Sequence, residues 1–347
     1  MAEGKVYSQR LGVINDAQFE AVAARWSLGR FVRAEPTTSG LFGQNVFLTT
    51  SDGEFVLRGA PHWVKGKDDP EWRREDRWQF TEEAFFARQL HERTSAPVPW
   101  PMQHDKASGI FGWPYLVMPR MPGICFEDRT ILKDLSSGDR RGVAEALGAM
   151  LAEMQTLRWP FAGDYGVSSI ELEPYADGDT NRSVEETMSI VATAHANGVM
   201  TDDDKTWIGE AVDRARTVDD QDRPNVYVHG DYKLNNLSVA RDGSDWRVAG
   251  LFDLHESHFG DGAFDLVRQA SSYLDTDPHL AKVFVDAYRA RAPVDPSIAE
   301  RMPLHIVNDR MKIWQFFTQP GARADWTNGK TFRGWAQRYM DRILELL

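Results

Sequence analysis

The chain has 347 residues, of which 42% are hydrophobic, and its formal net charge is −12. That composition is enough to bury a sizeable core in two domains and excludes a disordered chain; the single cysteine, Cys125, excludes an internal disulfide framework and fits a reducing, cytoplasmic setting. The acidic balance argues against a nucleic-acid-binding surface, and no apolar run reaches the length of a membrane span or forms a signal core.

Residues 16–28 are predicted as a helix, with Phe19, Val22, Ala23 and Trp26 at helical spacing. "NVFLTTSDGEFVLR" follows as a hairpin, with the turn at 51–53. Residues 61–80 are rich in Trp and charge without a clear period and read as a loop. "FTEEAFFARQLHERT" then reads as an amphipathic helix with Thr81 as N-cap, broken by "APVPWP". A short apolar strand, 114–118, ends at Pro119. Beyond residue 120 helical patterns dominate, at 140–159, 183–217 and 298–347, and strand signals remain only around 226–239 and 246–253. A strand-rich N-terminal domain, 1–119, is therefore expected before a helix-rich domain, 120–347.

The chemistry concentrates in "YVHGDYKLNNLSV". His229, Asp231 and Asn236 have the spacing H-x-D-x-x-x-x-N of the protein-kinase catalytic loop, in which the Asp receives the acceptor proton and the Asn binds a metal ion. Asp253 lies 17 residues beyond Asn236, after an apolar strand-like run, where a second metal-binding Asp is expected. Upstream, "EFVLR" puts Arg58 at a strand end and Glu83 on the next helix, the order in which kinases place their phosphate-binding cation and its acidic partner.

Together these segments resemble the aminoglycoside phosphotransferase-like family of small-molecule kinases. "HGDYKLNN" is similar to the family's H-G-D-x-x-x-x-N, "FDLHESHFGDGAFDL" to its D-x-x-x-x-x-x-G-D-x-x-x-D-L, and "PYLVMPRMPG" to its interlobe hinge. The resemblance implies an α+β, two-lobed protein-kinase-like fold: an antiparallel-sheet lobe with one key helix, then a larger, mostly helical lobe. It implies Asp231 as catalytic base, with Lys233 near the γ-phosphate; Asn236 and Asp253 as Mg²⁺ ligands; Arg58 and Glu83 at the α/β-phosphates; and backbone groups around Met118 and Arg120 at the adenine. Asp261 and Asp265 would brace the loop. The implied cofactors are ATP or GTP with Mg²⁺, and the implied partner is a small molecule bearing a hydroxyl, such as an aminoglycoside, macrolide, amino sugar or choline. Two departures stand out. Arg58 replaces the usual Lys, and the glycine loop is only "SGLFGQN", with Gly40 and Gly43 left to meet phosphate. The Arg58 replacement supports an alternative reading, a non-catalytic nucleotide-binding pseudokinase.

Other features have plainer readings. "GKT" at 329–331 lacks the first glycine of a phosphate loop, since residue 324 is Ala. "TDDDK" at 201–205 could draw a cationic acceptor or cap a helix. His255 and His258, with Glu256, could suggest a metal site, but without further ligands they are expected in a surface or loop role; Trp63, Trp72 and Trp78 are expected in packing or in covering a substrate, and Trp314, Phe316, Phe317 and Trp326 in core packing or an acceptor pocket.

Overall fold

The computed structural model describes residues 4–8, 11–37, 45–59, 70–107, 109–126, 129–166, 169, 171–218, 220, 223–292, 295–318 and 329–347. Gly40, Gly43, Trp63 and Trp326 lie outside them, as do the side chains of Trp72, Trp78, Phe316 and Phe317. The fold is α+β, and every paired strand among the described residues is antiparallel. The chain forms two compact units: residues 1–136 with 235–255, and residues 137–234 with 256–347.

The first unit is built on a five-stranded sheet of order β3-β4-β5-β7-β6, comprising β3 (Phe31–Pro36), β4 (Asn45–Thr50), β5 (Gly53–Gly59), β6 (Gln103–Asp105) and β7 (Tyr115–Pro119). A smaller hairpin joins β1 (Lys5–Ser8) to β2 (Gly12–Ile14). The β4–β5 turn falls where the "SDG" stretch predicts it, with Thr50 opposite Gly53. Helix α1 (Asp16–Arg25) starts with a capping box, in which Asn15 and Gln18 exchange side-chain-to-backbone bonds of 3.0 and 3.1 Å. It sets Phe19 and Val22, both fully buried, against Val46, Leu48, Leu57 and Tyr115 of the sheet. Each such side chain contributes roughly 1.5–3 kcal/mol through burial.

Helix α2 (Pro70–Arg93) begins eleven residues before the expected N-cap. The 61–80 loop assignment therefore fails from Pro70 onward, and Thr81 is an interior residue. From residue 71 to 93 the chain has neither Gly nor Pro, and Pro70 suits a first helical position, where its missing N–H costs nothing.

The first unit also holds a three-stranded sheet of order β14-β13-β8, from β8 (Ile124–Cys125), β13 (Leu237–Asp242) and β14 (Asp245–Leu251). Ser238 of β13 pairs with Cys125 of β8. The 235–255 segment is thus packed with residues that precede 137, whereas the sequence division at 119/120 assigns both β8 and this hairpin to the later domain.

The second unit is mostly helical. It contains α4 (Ser137–Met154), α5 (Gly178–Ala196), α6 (Asp202–Ala215), α7 (Ala263–Thr276), α8 (Pro278–Arg289), α9 (Ile298–Thr318) and α10 (Phe332–Leu346); α3 (Arg129–Asp134) belongs to the first unit. Helices α4 and α8 approach closely at Gly148, where a Cβ would lie 2.3 Å from the Phe284 carbonyl oxygen. The expected 183–217 helix is two helices. It breaks after Ala196, and α6 restarts with Thr201 and Asp204 in a capping box. "TDDDK" therefore caps a helix, as one of its two readings holds. Trp314 packs against Phe332 and Trp335, with ring centroids 5.7 and 5.6 Å away, and is 4% exposed.

Five short strands form the second unit's sheet, in the order β11-β10-β15-β12-β9: β9 (Arg158–Trp159), β10 (Gly163–Tyr165), β11 (Leu172–Pro174), β12 (Asn225–Val228) and β15 (His258–Gly260). Only β12 coincides with an expected strand signal. Two or three residues are too few to display alternation, so the other four, and β8, lie beyond what the sequence pattern foresees.

Candidate functional site

In the first unit, Arg58 is the penultimate residue of β5 and lies opposite Leu116 of β7. Its guanidinium forks. Nη1 donates to Glu83 Oε2 at 2.9 Å, and Nη2 donates to Asp253 Oδ1 at 3.1 Å. Glu83 comes from α2 and is 1% exposed. Burial disfavours the charge on Arg58, but Glu83 and Asp253 outweigh that cost and raise its pKa. The planar fork explains how one residue serves two acids, which a point-charge ammonium would do less well.

Asn236 and Asp253 are brought together by the β13–β14 hairpin. Leu237 pairs with Leu251, and the Phe252 amide donates to the Asn236 carbonyl at 2.9 Å, so the residue entering β13 and the residue just past β14 lie at one end of the ladder. Asp253 has φ of 66°, a left-handed backbone that non-glycine residues seldom adopt and that recurs at functional sites. Burial pushes its carboxyl up, yet the His255 hydrogen bond and the Arg58 charge hold it well below the usual carboxylate range. His255 Nδ1 lies 3.0 Å from Asp253 Oδ1. Both contacts fall on Oδ1, and Oδ2 has no partner among the described residues. Asn236 offers an amide oxygen and Asp253 a carboxylate oxygen, the hard donors that suit Mg²⁺. Glu83, Asp253 and His255 also hold one potential ligand atom each within 4.8 Å of one another.

At the proposed hinge the ladder decides which backbone groups face where. The Arg120 amide donates to the Glu54 carbonyl at 3.0 Å, and Met118 lies opposite Val56. The backbone groups of Met118 and Arg120 thus face β5, and those of Pro119 and Met121 face the opposite way. The Arg120 side chain lies over the Phe47 ring, 4.0 Å from its centroid, and pairs with Glu54 at 3.4 Å.

In the second unit, Asp231 sits on the loop after β12 and is 8% exposed. Its Oδ1 accepts from Arg268 Nε at 2.8 Å, and its Oδ2 accepts from Lys233 Nζ. Burial raises this carboxyl, but Arg268 and then Lys233 reverse the effect and hold it below the usual range. Gly230 has φ of 82°, and a Cβ there would come within 2.4 Å of the Glu256 carbonyl oxygen, so the middle position of His-Gly-Asp accepts only glycine without strain. His229 is fully buried, and its Nδ1 accepts the Asp231 amide at 3.3 Å. Asp265 braces the loop by accepting the amides of His229 and Gly230 at 2.7 and 3.0 Å. Asp261 does not share that work. It binds Arg301 at 2.6 Å and His305 at 2.8 Å and accepts the amide of Ala263, the first residue of α7, at 3.0 Å.

The sequence profile of the phosphotransferase enzyme family (APH) matches residues 33–300. The chain belongs to that family. Among curated proteins, this phosphotransferase-family chain is 25% identical to acyl-CoA dehydrogenase family member 11 of Rattus norvegicus over 279 residues, covering 75% of this chain and 32% of the relative. The Homo sapiens protein of that name is 24% identical over 230 residues, covering 64% of this chain and 27% of its own length. The chain thus spans about a third of the length of the curated relatives it matches. Solved structures share the fold. Macrolide 2′-phosphotransferase MphH of Brachybacterium faecium superposes with a TM-score of 0.58 at 15% identity, covering 93% of this chain and 97% of that one. A thermostable mutant of aminoglycoside phosphotransferase APH(4)-Ia, in a ternary complex with AMP-PNP and hygromycin B, gives 0.57 at 14% identity, covering 94% and 98%. The expected protein-kinase-like fold and family are those observed. No helix among the described residues is long and apolar enough to cross a membrane.

Arg268, Gln269 and Asp309 are absent from the site read from the sequence. The available signal is spacing: Arg268 and Gln269 fall three and four residues after Asp265 on a helix and share its face.

Proposed function

We propose that this protein transfers the γ-phosphoryl group of ATP, or GTP, to a hydroxyl of a small molecule. The observation that carries this reading is the hairpin that sets Asn236 and Asp253 side by side within a chain that also keeps Asp231 at family spacing. Asn236 and Asp253 would hold Mg²⁺, which when bound offsets charge on the phosphates. Arg58, steadied by Glu83, binds the α/β-phosphates. The Pro119 carbonyl and the Met121 amide, on the edge facing away from β5, meet the adenine, while Met118 and Arg120 shape that strand. Lys233 takes the γ-phosphate, and Asp231 orients the acceptor hydroxyl and receives its proton. The transition state is loose, so orientation matters more than basicity, and a carboxylate with a low pKa suffices.

The pseudokinase reading rests on Arg58 standing in for Lys. The Arg58–Glu83 pair at 2.9 Å supports a working cation instead.

For the acceptor, the acidic residues that could receive a polyamine are largely engaged elsewhere. Asp204 caps α6, Asp203 pairs with Arg333, Asp202 with His195, and Glu186 with Arg182 and Lys312. The curated relatives carry an acyl-CoA dehydrogenase name, which makes a hydroxylated acyl thioester a second acceptor class beside antibiotics.

The test is a coupled nucleotide-consumption screen of the purified protein against aminoglycosides, macrolides, amino sugars, choline-like alcohols and hydroxyacyl-CoA thioesters, with the product mass checked for one added phosphoryl group. Acceptor-dependent ADP or GDP release is expected from one class. Tight nucleotide binding without turnover on any acceptor or water would favour the pseudokinase.

A further inference from the structure

One face of α7 holds the 229–236 loop at three points. Asp265 takes the amides of His229 and Gly230, Arg268 takes the carboxylate of Asp231, and Gln269 Oε1 accepts the Leu234 amide at 2.7 Å. Positions 265, 268 and 269 are i, i+3 and i+4 of the helix, so they present together. The middle hold differs from the others because it grips the side chain rather than the backbone.

Arg268 is itself fixed from behind. Its Nη1 donates to Asp309 Oδ1 at 3.0 Å. Asp309 is 1% exposed, and its other oxygen accepts Arg310 Nε at 2.8 Å. The Arg310 guanidinium lies 4.6 Å from the centroid of the Tyr339 ring of α10. Charges therefore alternate from the loop through α7 to α9: Asp231, Arg268, Asp309, Arg310. Among the described residues Lys233 has no comparable anchor. It reaches Oδ2 on a four-carbon stem from the same loop, and its side chain is 33% exposed against 18% for Arg268.

We propose that Arg268 is the positioning residue for Asp231: it pins Oδ1 through the whole cycle, and so leaves Oδ2, to which Lys233 donates from a partly exposed stem, to turn to the acceptor hydroxyl. The inference rests on the phosphotransferase reading above. When Lys233 turns to the γ-phosphate, Oδ2 takes the hydroxyl proton as the hydroxyl oxygen bonds to the γ-phosphorus. The bond from that phosphorus to its bridging oxygen breaks, and the electron pair leaves with the nucleoside diphosphate. A carboxylate held at one oxygen keeps the other within a narrow arc, and an error of about 1 Å at this point costs on the order of 10²-fold in rate.

Among the described residues, the titratable and charged groups that act on Asp231 include Arg268 from α7 and Lys233 and His229 from its own loop, with Asp265 of α7 behind the loop; Glu256 and Asp309 act through Arg268. Removing the Arg268 charge while keeping a donor should therefore move the acid limb of the rate profile as well as the rate.

The experiment compares wild type with Arg268→Gln and Arg268→Lys, and with Arg88→Gln as a surface ion-pair control. Three readouts are taken: Mg-ATP affinity by calorimetry, the pH profile of Mg-ATP hydrolysis with water as acceptor, and the carboxyl-carbon NMR titration of Asp231, assigned with Asp231→Asn. Arg268→Gln should leave Mg-ATP affinity unchanged, lower kcat roughly 10–100-fold, and raise both the acid limb and the Asp231 titration by about one unit or more. Arg268→Lys should restore the titration but not the full rate, because charge returns without the fork. An unmoved Asp231 titration in Arg268→Gln, or full kcat in Arg268→Lys, overturns the proposal. Should Arg268→Gln fail to fold, Arg268→Lys decides by its kcat alone. Absence of hydrolysis in wild type would instead count against the phosphotransferase reading, and the NMR titration would still decide whether Arg268 governs Asp231.

Discussion

Arg58 and Asp253, 195 residues apart in the chain, meet in a 3.1 Å ion pair, and the same guanidinium holds Glu83 on its other side. A strand end, a helix and a hairpin of the first unit are tied by one cation. Arg58→Ala would leave Glu83, 1% exposed, without its counter-charge. Removing one member of such a buried pair costs about 3–5 kcal/mol. Urea unfolding should show that loss, and replacing both partners by Met should recover much of it. An Arg58→Ala protein as stable as wild type would show that the pair contributes nothing.

Asp253→Ala should retain the fold, since its side chain is 33% exposed, and lose the Mg²⁺-dependent part of nucleotide affinity. Calorimetry of ATP with and without Mg²⁺ measures the difference. Equal Mg²⁺ enhancement in wild type and variant would remove Asp253 from the metal ligands.

Asp231→Asn preserves shape but cannot take a proton. Turnover on the acceptor found by the screen should fall roughly 10²–10⁴-fold, the usual worth of a positioned base. Nucleotide affinity should stay within twofold or so of wild type, as expected for a residue that meets the acceptor. Full turnover in this variant would sink the assignment.

Asp261 gives a pH prediction. Burial pushes its carboxyl up, but Arg223, His305 and Arg301 hold it well below the usual range. A carboxylate lowered in the folded state stabilises it at every pH above the unfolded value, about 3.9, and loses that contribution as pH falls through the folded value. Asp261→Asn should thus cost about 3 kcal/mol or more at pH 7, and the gap to wild type should narrow only below about pH 4. A gap that closes already between pH 7 and pH 5 would point to another group.

The spacing of Asp231, Asn236 and Asp253 is legible in the sequence because one loop and one hairpin set it, and local geometry leaves little freedom in either. Arg58 and Glu83 are legible through their elements, a strand end and the next helix. Arg268 is not, because its role depends on which face of α7 meets the loop, and tertiary packing chooses that face. The start of α2 is hidden for a different reason. Its first turns are charged and aperiodic, so only the absence of Gly and Pro after Pro70 hints at helix. The strands β9, β10 and β11 are too short to carry a pattern, and their pairing is decided by distant partners such as β12 and β15.

The three loop amides held by α7, those of His229, Gly230 and Leu234, have side-chain acceptors on a helix rather than a ladder partner. Their hydrogens should therefore trade with deuterium only when α7 itself opens. A segment that is neither strand nor α-helix would then show the exchange protection of the helix behind it, and a ligand that steadies α7 would slow all three together.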